Sequence, residues 1–219
     1  MSFLHFELNK IIMLDRRMAR HSGIPRRELK AGELTPQQEV ERQRAVDMMK
    51  QWPGGITYVH TPGWTVEKAL AEVHALKDEG LCDVFVVDYL EKAASSPRQV
   101  RLYGSNAFGR EANDVEQIKS FSEQQELPVF LLAQLNKLGK GQAFADLDRV
   151  SIRGAGEKTE KANVVILLHR ESLEEQVVRV RIDKNTNGPT GSFEQVMNTP
   201  RFLVGDPMPE PDGEPIPWQ

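Results

Sequence analysis

Two apolar rhythms alternate along the first 135 residues. Short unbroken runs, CDVFVVDYL (82–90) and LPVFLLAQL (127–135), predict strands buried on both faces of a parallel sheet. Longer stretches carry apolar residues every three or four positions and predict helices. One such stretch is LNKIIMLDRRMARH (8–21), with Leu8, Ile11, Ile12 and Met18 at helical spacing. Another spans 65–79, where Val66, Leu70, Val73 and Leu76 face one way before Gly80 closes it. Thr35-Pro36 with Gln38 reads as an N-cap, a proline in the first helical turn and a capping residue, starting a helix that ends near Gln51, before WPGG. SFLHF (2–6) reads as a strand end and Ile56–His60 as a further strand. Residues 91–111 and 136–160 read as long polar loops, the first followed by a helix from about Ala112 to Gln125.

Beyond residue 160 the rhythm changes to strands without full helices between them: Asn163–Leu168, Val177–Asp183, Ser192–Asn198 and Arg201–Val204. NTNGPTG (185–191) reads as a hairpin turn. The order of elements predicts one α/β domain over residues 1–204, with a mostly parallel sheet flanked by helices and a β-rich C-terminal end. Residues 205–219 (GDPMPEPDGEPIPWQ) hold five prolines, four acids and no base, and read as a flexible tail.

Composition narrows the class. At 219 residues, 39% hydrophobic and 27% charged, the chain fits a water-soluble globular domain with a substantial core. No run of 18 apolar residues is present, and no secretory pattern opens the chain, so a cytoplasmic protein with no membrane partner is expected. The single cysteine, Cys82, excludes an internal disulfide and a cysteine-based zinc site. The five histidines lack metal-ligand spacing. A net charge of −4 gives no support to nucleic-acid binding by itself, yet residues 1–30 hold seven Lys/Arg against three acids, so a local basic surface remains.

Three residues at strand ends stand out. Asp88 closes an apolar strand, where its carboxylate can hold a metal ion or cap the following turn. Glu7, just past another strand, can orient a water molecule or sit favourably at a helix N-terminus. Gln134 follows VFLLA, where its amide can sense a ligand oxygen or satisfy a strand end. A strand-end aspartate of this kind belongs with a phosphate loop of the form G-x-x-x-x-G-K-[ST]. The sequence contains none. LGKGQAF (138–144) has the Gly-Lys pair, but Gln134 stands at the place of the first glycine, and Gly141 follows Lys140 where Ser or Thr is required.

Five stretches in order resemble one family, the DnaB-like replicative helicases. FELNKIIMLDRRMARHSGI resembles the segment that begins with their catalytic glutamate, down to the arginine nine positions on (Arg16). VFVVDYL resembles their Walker B strand, and LPVFLLAQLNK the strand ending in a nucleotide-sensing glutamine. IRGAGEKTEKANVVILLHRE resembles their DNA-binding loop, and IDKNTNGPTGSF their basic motif acting on a neighbouring subunit. The resemblance covers residues 3–204. It implies a RecA-like P-loop ATPase core in a ring, expected to be a hexamer, around single-stranded DNA, with ATP and Mg²⁺ as cofactors. Within it Asp88 binds Mg²⁺, through water, and Glu7, Gln134 and Lys184 serve ATP hydrolysis. DNA contacts fall to Arg153, Gly154 and Gly156, with a second set at Arg101 and Arg110 among Lys92, Arg98, Tyr103 and Phe108.

The resemblance also carries departures. Thr186 stands where the family has an arginine that reaches into the neighbour, and Gly154 where a glutamate commonly follows the loop arginine. The phosphate-loop strand, expected beside the strand ending in Asp88, is missing, so the chain alone is expected to bind ATP poorly and to need an upstream Walker A-bearing fragment. A RecA/RadA-like recombination ATPase and a non-catalytic module that joins a helicase ring are the alternatives.

Overall fold

The computed structural model describes residues 1–6, 10–52, 54–135, 144, 147–152, 155–172, 174–201 and 203–205. Two four-stranded sheets organise them. The first is wholly parallel, in the order β2-β1-β3-β4, with β1 at Ser2–His5, β2 at Thr57–His60, β3 at Phe85–Asp88 and β4 at Val129–Leu131. The second is an antiparallel meander of β5 (Val164–His169), β6 (Val177–Asn185), β7 (Gly191–Asn198) and β8 (Leu203–Gly205). The expected largely parallel sheet is thus a parallel half, and the β-rich end builds its own sheet.

The helices are α1 (Lys10–Ser22), α2 (Arg26–Ala31), α3 (Pro36–Gln51), α4 (Val66–Asp78), α5 (Pro97–Tyr103), α6 (Ala107–Gln125) and α7 (Ala155–Lys161). Local chemistry fixes several of their starts. Thr35 and Gln38 form the reciprocal capping box expected from the sequence, with Pro36 in the first turn. The loop expected at 91–111 instead contains α5, begun by an equivalent Ser96–Gln99 box with Pro97 in the first turn. α6 starts earlier than expected, because Asn106 caps it through the Gly109 N–H. α7 likewise interrupts the loop expected at 136–160.

The main core lies on one face of the parallel sheet. Leu4, Phe6, Phe85 and Val87 pack against the α4 stripe Val66, Ala69, Leu70, Val73 and Leu76, and against Val115 and Ile118 of α6. Strand β3 is buried on both faces, as its unbroken apolar run requires: Phe85, Val86 and Val87 are all under 10% exposed. Cys82 is a buried free thiol at the start of this strand. A smaller core of Leu147, Val165 and Leu167, with Leu135, Phe144 and Ile152 around it, underlies the antiparallel sheet.

Three expectations change. β3 is hydrogen-bonded on both edges, to β1 and to β4, so no strand is missing beside it. The strand containing Val129 is not buried on both faces: among the described residues β4 is the last strand of its sheet, and Phe130 is 60% exposed. Ile11, expected on the apolar face of its helix, is also exposed, and α1 buries Ala19 and Ser22 instead. Of the flexible tail expected at 205–219, Gly205 instead closes β8, and residues 206–219 lie outside the described residues.

Candidate functional site

A parallel sheet delivers every strand's C-terminal end to the same edge, and ligands of open α/β sheets bind there. Here that edge collects the ends of β1, β3 and β4. His5 stands level with Asp88 in the β1–β3 ladder, and the next residue's amide, on Phe6, donates to the Asp88 carbonyl at 3.2 Å. Glu7 follows directly and lies outside the described residues. On the other side, the Leu132 amide donates to the Val87 carbonyl at 3.0 Å. The chain then passes to Gln134, whose side chain is exposed. Asp88 is half-buried between them. The structure therefore brings Asp88 and Gln134 to one edge, together with the residue preceding Glu7.

Thr61, just past β2 on the same edge, was not singled out from the sequence. It is fully buried, and its hydroxyl has no hydrogen-bond partner among the described residues. A threonine after a short strand carries no distinguishing sequence signal.

A magnesium ion fits this edge in one specific sense. Mg²⁺ keeps several waters and takes one or two carboxylates together with phosphate oxygens. Asp88 is one such carboxylate, and among the described residues no group of three or more His, Cys, Asp or Glu side chains could hold an ion unaided. The remaining ligands would have to come from water and nucleotide.

The chain after Asp88 is fastened by a desolvated ion cluster. Glu91, in the 3-10 turn Leu90–Lys92, lies 2.6 Å from the Lys158 ammonium, and Glu111 of α6 lies 3.3 Å from it. The Lys158 and Glu91 side chains are only 5% and 4% exposed. Such a pair holds geometry firmly, because removing one partner strands a buried charge. Lys158 belongs to α7, so the cluster ties the turn beyond Asp88 to the helix that follows residues 153–154. In the sequence the three charges are scattered and look like solvated surface.

The candidate nucleic-acid residues separate into groups. Arg153 and Gly154 lie outside the described residues, and Gly156 is exposed in the first turn of α7. Arg101 is exposed in the last turn of α5. Arg110 donates to the Gly104 carbonyl at 3.2 Å, which closes the α5–α6 corner. Phe108 on that corner is 71% exposed. Gly109 beside it has no room for a side chain, since a Cβ would meet the Tyr103 ring at 2.8 Å.

Lys184 is occupied within its own chain. Its ammonium donates to the Thr159 and Glu160 carbonyls, both at 2.9 Å, and so caps the C-terminal end of α7. The hairpin beyond it forms as the sequence indicates, with β6 and β7 joined across residues 186–190.

Comparison with known proteins bears on this geometry. A replicative DNA helicase DnaB from Treponema pallidum (strain Nichols) is 26% identical over 88% of this chain and 42% of its own length. The DnaB of Geobacillus stearothermophilus is 24% identical over 87% of this chain and 42% of its own. The chain thus spans less than half the length of these relatives. Among solved structures, one of a DnaB-like replicative helicase with its primase interactions matches with a TM-score of 0.81, at 16% identity, over 94% of this chain and 50% of that one. A second solved structure, of an ATPase domain, matches with a TM-score of 0.77, at 16% identity, over 94% of this chain and 73% of that one. The fold is therefore the RecA-like α/β core of these ATPase domains. The family model described as the DnaB-like helicase C-terminal domain matches residues 1–201, and the chain belongs to that family.

Proposed function

We propose that residues 1–204 form the ATPase unit of a DnaB-like replicative DNA helicase, followed by a tail at 205–219, and that it works in the cytoplasm. In the complete assembly, ATP hydrolysis drives a ring of subunits along single-stranded DNA and opens the duplex. The observation that carries this reading is the meeting of Asp88, Gln134 and the residue before Glu7 at one sheet edge, in a chain of this family.

Each residue then has a task. Asp88 holds the waters of a Mg²⁺ ion, which supplies charge neutralisation to the phosphates. Glu7 orients the attacking water, and Gln134 hydrogen-bonds a phosphate oxygen or that water. Arg153, Gly154 and Gly156 contact the DNA backbone, with Arg101 and Arg110 as a further basic set. Subunits assemble as a hexamer. A recombination ATPase shares the core, but the family match favours the helicase.

A second reading, a non-catalytic module of a helicase ring, is favoured by two observations. The sequence contains no phosphate loop, and Lys184 holds α7 in its own chain while Thr186 carries no charge. In this reading Lys184 orders the DNA loop's helix rather than a neighbour's nucleotide.

The deciding measurement is phosphate release with ATP, Mg²⁺ and single-stranded DNA. It is made on the chain alone and on the chain mixed with a polypeptide that carries a strand, a G-x-x-x-x-G-K-[ST] loop and a helix. The expected outcome is no release alone and DNA-stimulated release in the mixture, abolished by Asp88→Asn and by Glu7→Gln. Release by the chain alone would mean that the phosphates have another cradle. A mixture that binds ATP but never hydrolyses it would establish the non-catalytic reading.

A further inference from the structure

The connection from the Asp88 strand to α6 carries charge of one sign only. From residue 92 to residue 110 the sequence holds Lys92, Arg98, Arg101 and Arg110 and no Asp or Glu, in a chain whose acids outnumber its bases by 32 to 28. Apolar side chains stand exposed among these cations: Leu102 is 63% exposed and Phe108 71%. Arg98 and Arg101 are also exposed, and neither makes an ion pair among the described residues.

The local structure explains the display. The Ser96–Gln99 box turns Gln99 inward, where it is the one buried side chain of α5. Arg98, Arg101 and Leu102, spaced i, i+3 and i+4, then share the face turned away from it. The corner beyond α5 is closely bonded. The Gly104 N–H donates to the Val100 carbonyl at 2.9 Å, and the Asn106 N–H to the Tyr103 carbonyl at 2.9 Å. Asn106 caps α6 through the Gly109 N–H at 3.1 Å, and the Tyr103 ring fills the space over Gly109. Phe108 stands in the first turn of α6, so a fixed backbone presents its ring to solvent. A single exposed apolar residue is ordinary, but an aromatic ring beside exposed Leu102 on a bonded corner marks a contact surface.

We propose that this corner is a stacking platform for single-stranded nucleic acid: a base lies on the Phe108 ring while Arg98 and Arg101 attract neighbouring phosphates. Every base has a flat π-face, so the contact tolerates any sequence, and a duplex hides those faces, so single strands are preferred. A protein surface of mixed charge would find pairing here for one sign only. A polyanion with flat apolar faces matches the missing acids and the exposed ring together. The proposal rests on the DNA-binding part of the helicase reading above, and it adds a contact with bases to the phosphate contacts assigned there.

Fluorescence anisotropy of a labelled oligothymidylate tests it on the full chain at low salt, beside an abasic strand of equal length. Phe108→Ala should weaken oligothymidylate binding about tenfold and leave the abasic strand unaffected. The slope of log affinity against log salt should stay as in the parent, because no phosphate contact is lost. Phe108→Leu keeps apolar surface without a ring and should behave like the alanine variant. Phe108→Trp should bind as the parent does, with its added indole fluorescence quenched by the oligothymidylate. Full affinity in the alanine or leucine variant, or an equal loss on the abasic strand, would overturn the platform. So would a parent chain that binds no oligothymidylate at low salt. If Phe108→Ala instead dissociates a self-associated parent in sedimentation and leaves oligonucleotide affinity unchanged, the corner is a protein contact and the proposal falls. Phosphate release in the mixture described above judges the ATPase reading separately. Stacking without release would uphold the platform and remove that reading, and release with no effect of Phe108 on binding would do the reverse.

Discussion

Asp114 of α6 has only 6% of its surface exposed, and it accepts a hydrogen bond from the Gln99 carboxamide at 2.5 Å. Burial pushes its carboxyl up from 3.8 to about 6; the Gln99 bond and Arg110 oppose the rise, and the charges of Glu67 and Glu111 add to it. The sign of the pH effect follows. A folded-state acid that holds its proton more tightly than the unfolded chain gives stability at low pH, and loses it as pH rises from about 4 through 6. Asp114→Asn should therefore flatten the decline in urea midpoint between pH 4.5 and 7.5 and raise stability at the upper end by ~1–3 kcal/mol. A variant whose midpoint declines as steeply as the parent would show that another group sets the slope. Nothing in the sequence marks Asp114, because its burial depends on where α5 lays Gln99.

At the scale of elements, short helices carry much of the site's geometry. α5 and α7 have seven residues each, too few to be stable in isolation, so tertiary contacts must hold them. For α7 those contacts are the Lys158 cluster and the Lys184 cap on its last turn. Lys158→Met would leave the Glu91 carboxylate buried without its counter-charge and should cost about 3–5 kcal/mol. Adding Glu91→Gln should recover part of this loss. Urea denaturation of the single and double variants checks both expectations, and simple additivity would mean the pair is not coupled. Residue patterns reached some of these elements and not others. Thr35, Pro36 and Gln38 announced α3 correctly because capping is local chemistry. Ser96, Pro97 and Gln99 carry the same signal for α5, but it was hidden in a stretch that reads as polar loop. α7 offered no cap signal of that kind to read.

For the whole molecule, charge placement matters more than net charge. A protein at −4 can still bind a polyanion through one basic surface. If Arg153 and Arg101 contact phosphates in the proposed helicase, each Arg→Ala change should weaken single-stranded DNA binding evenly across sequences. Each should also lower the slope of log affinity against log salt by about 0.7. Titrations at several salt concentrations read this directly. An unchanged slope for Arg101→Ala would restrict DNA contact to the loop around Arg153. Arg110 should matter less, since its guanidinium already holds the Gly104 carbonyl.

The amino-acid sequence by itself determined the elements whose cause is local. The unbroken VFVV run produced a strand buried on both faces, the Thr35 box began α3, and NTNGPT turned β6 into β7. It also determined the family, because five separated stretches keep their order across residues 3–204, and the family model matches 1–201. Only the tertiary structure decided which strands are neighbours. Strand order is a long-range property that no window of sequence contains, so β3 could not be seen to have both edges filled, nor β4 and β5 to be the last strands of their sheets among the described residues. The same holds for the charges. Glu91, Glu111 and Lys158 are far apart along the chain, and each reads as solvated until packing removes water from all three at once.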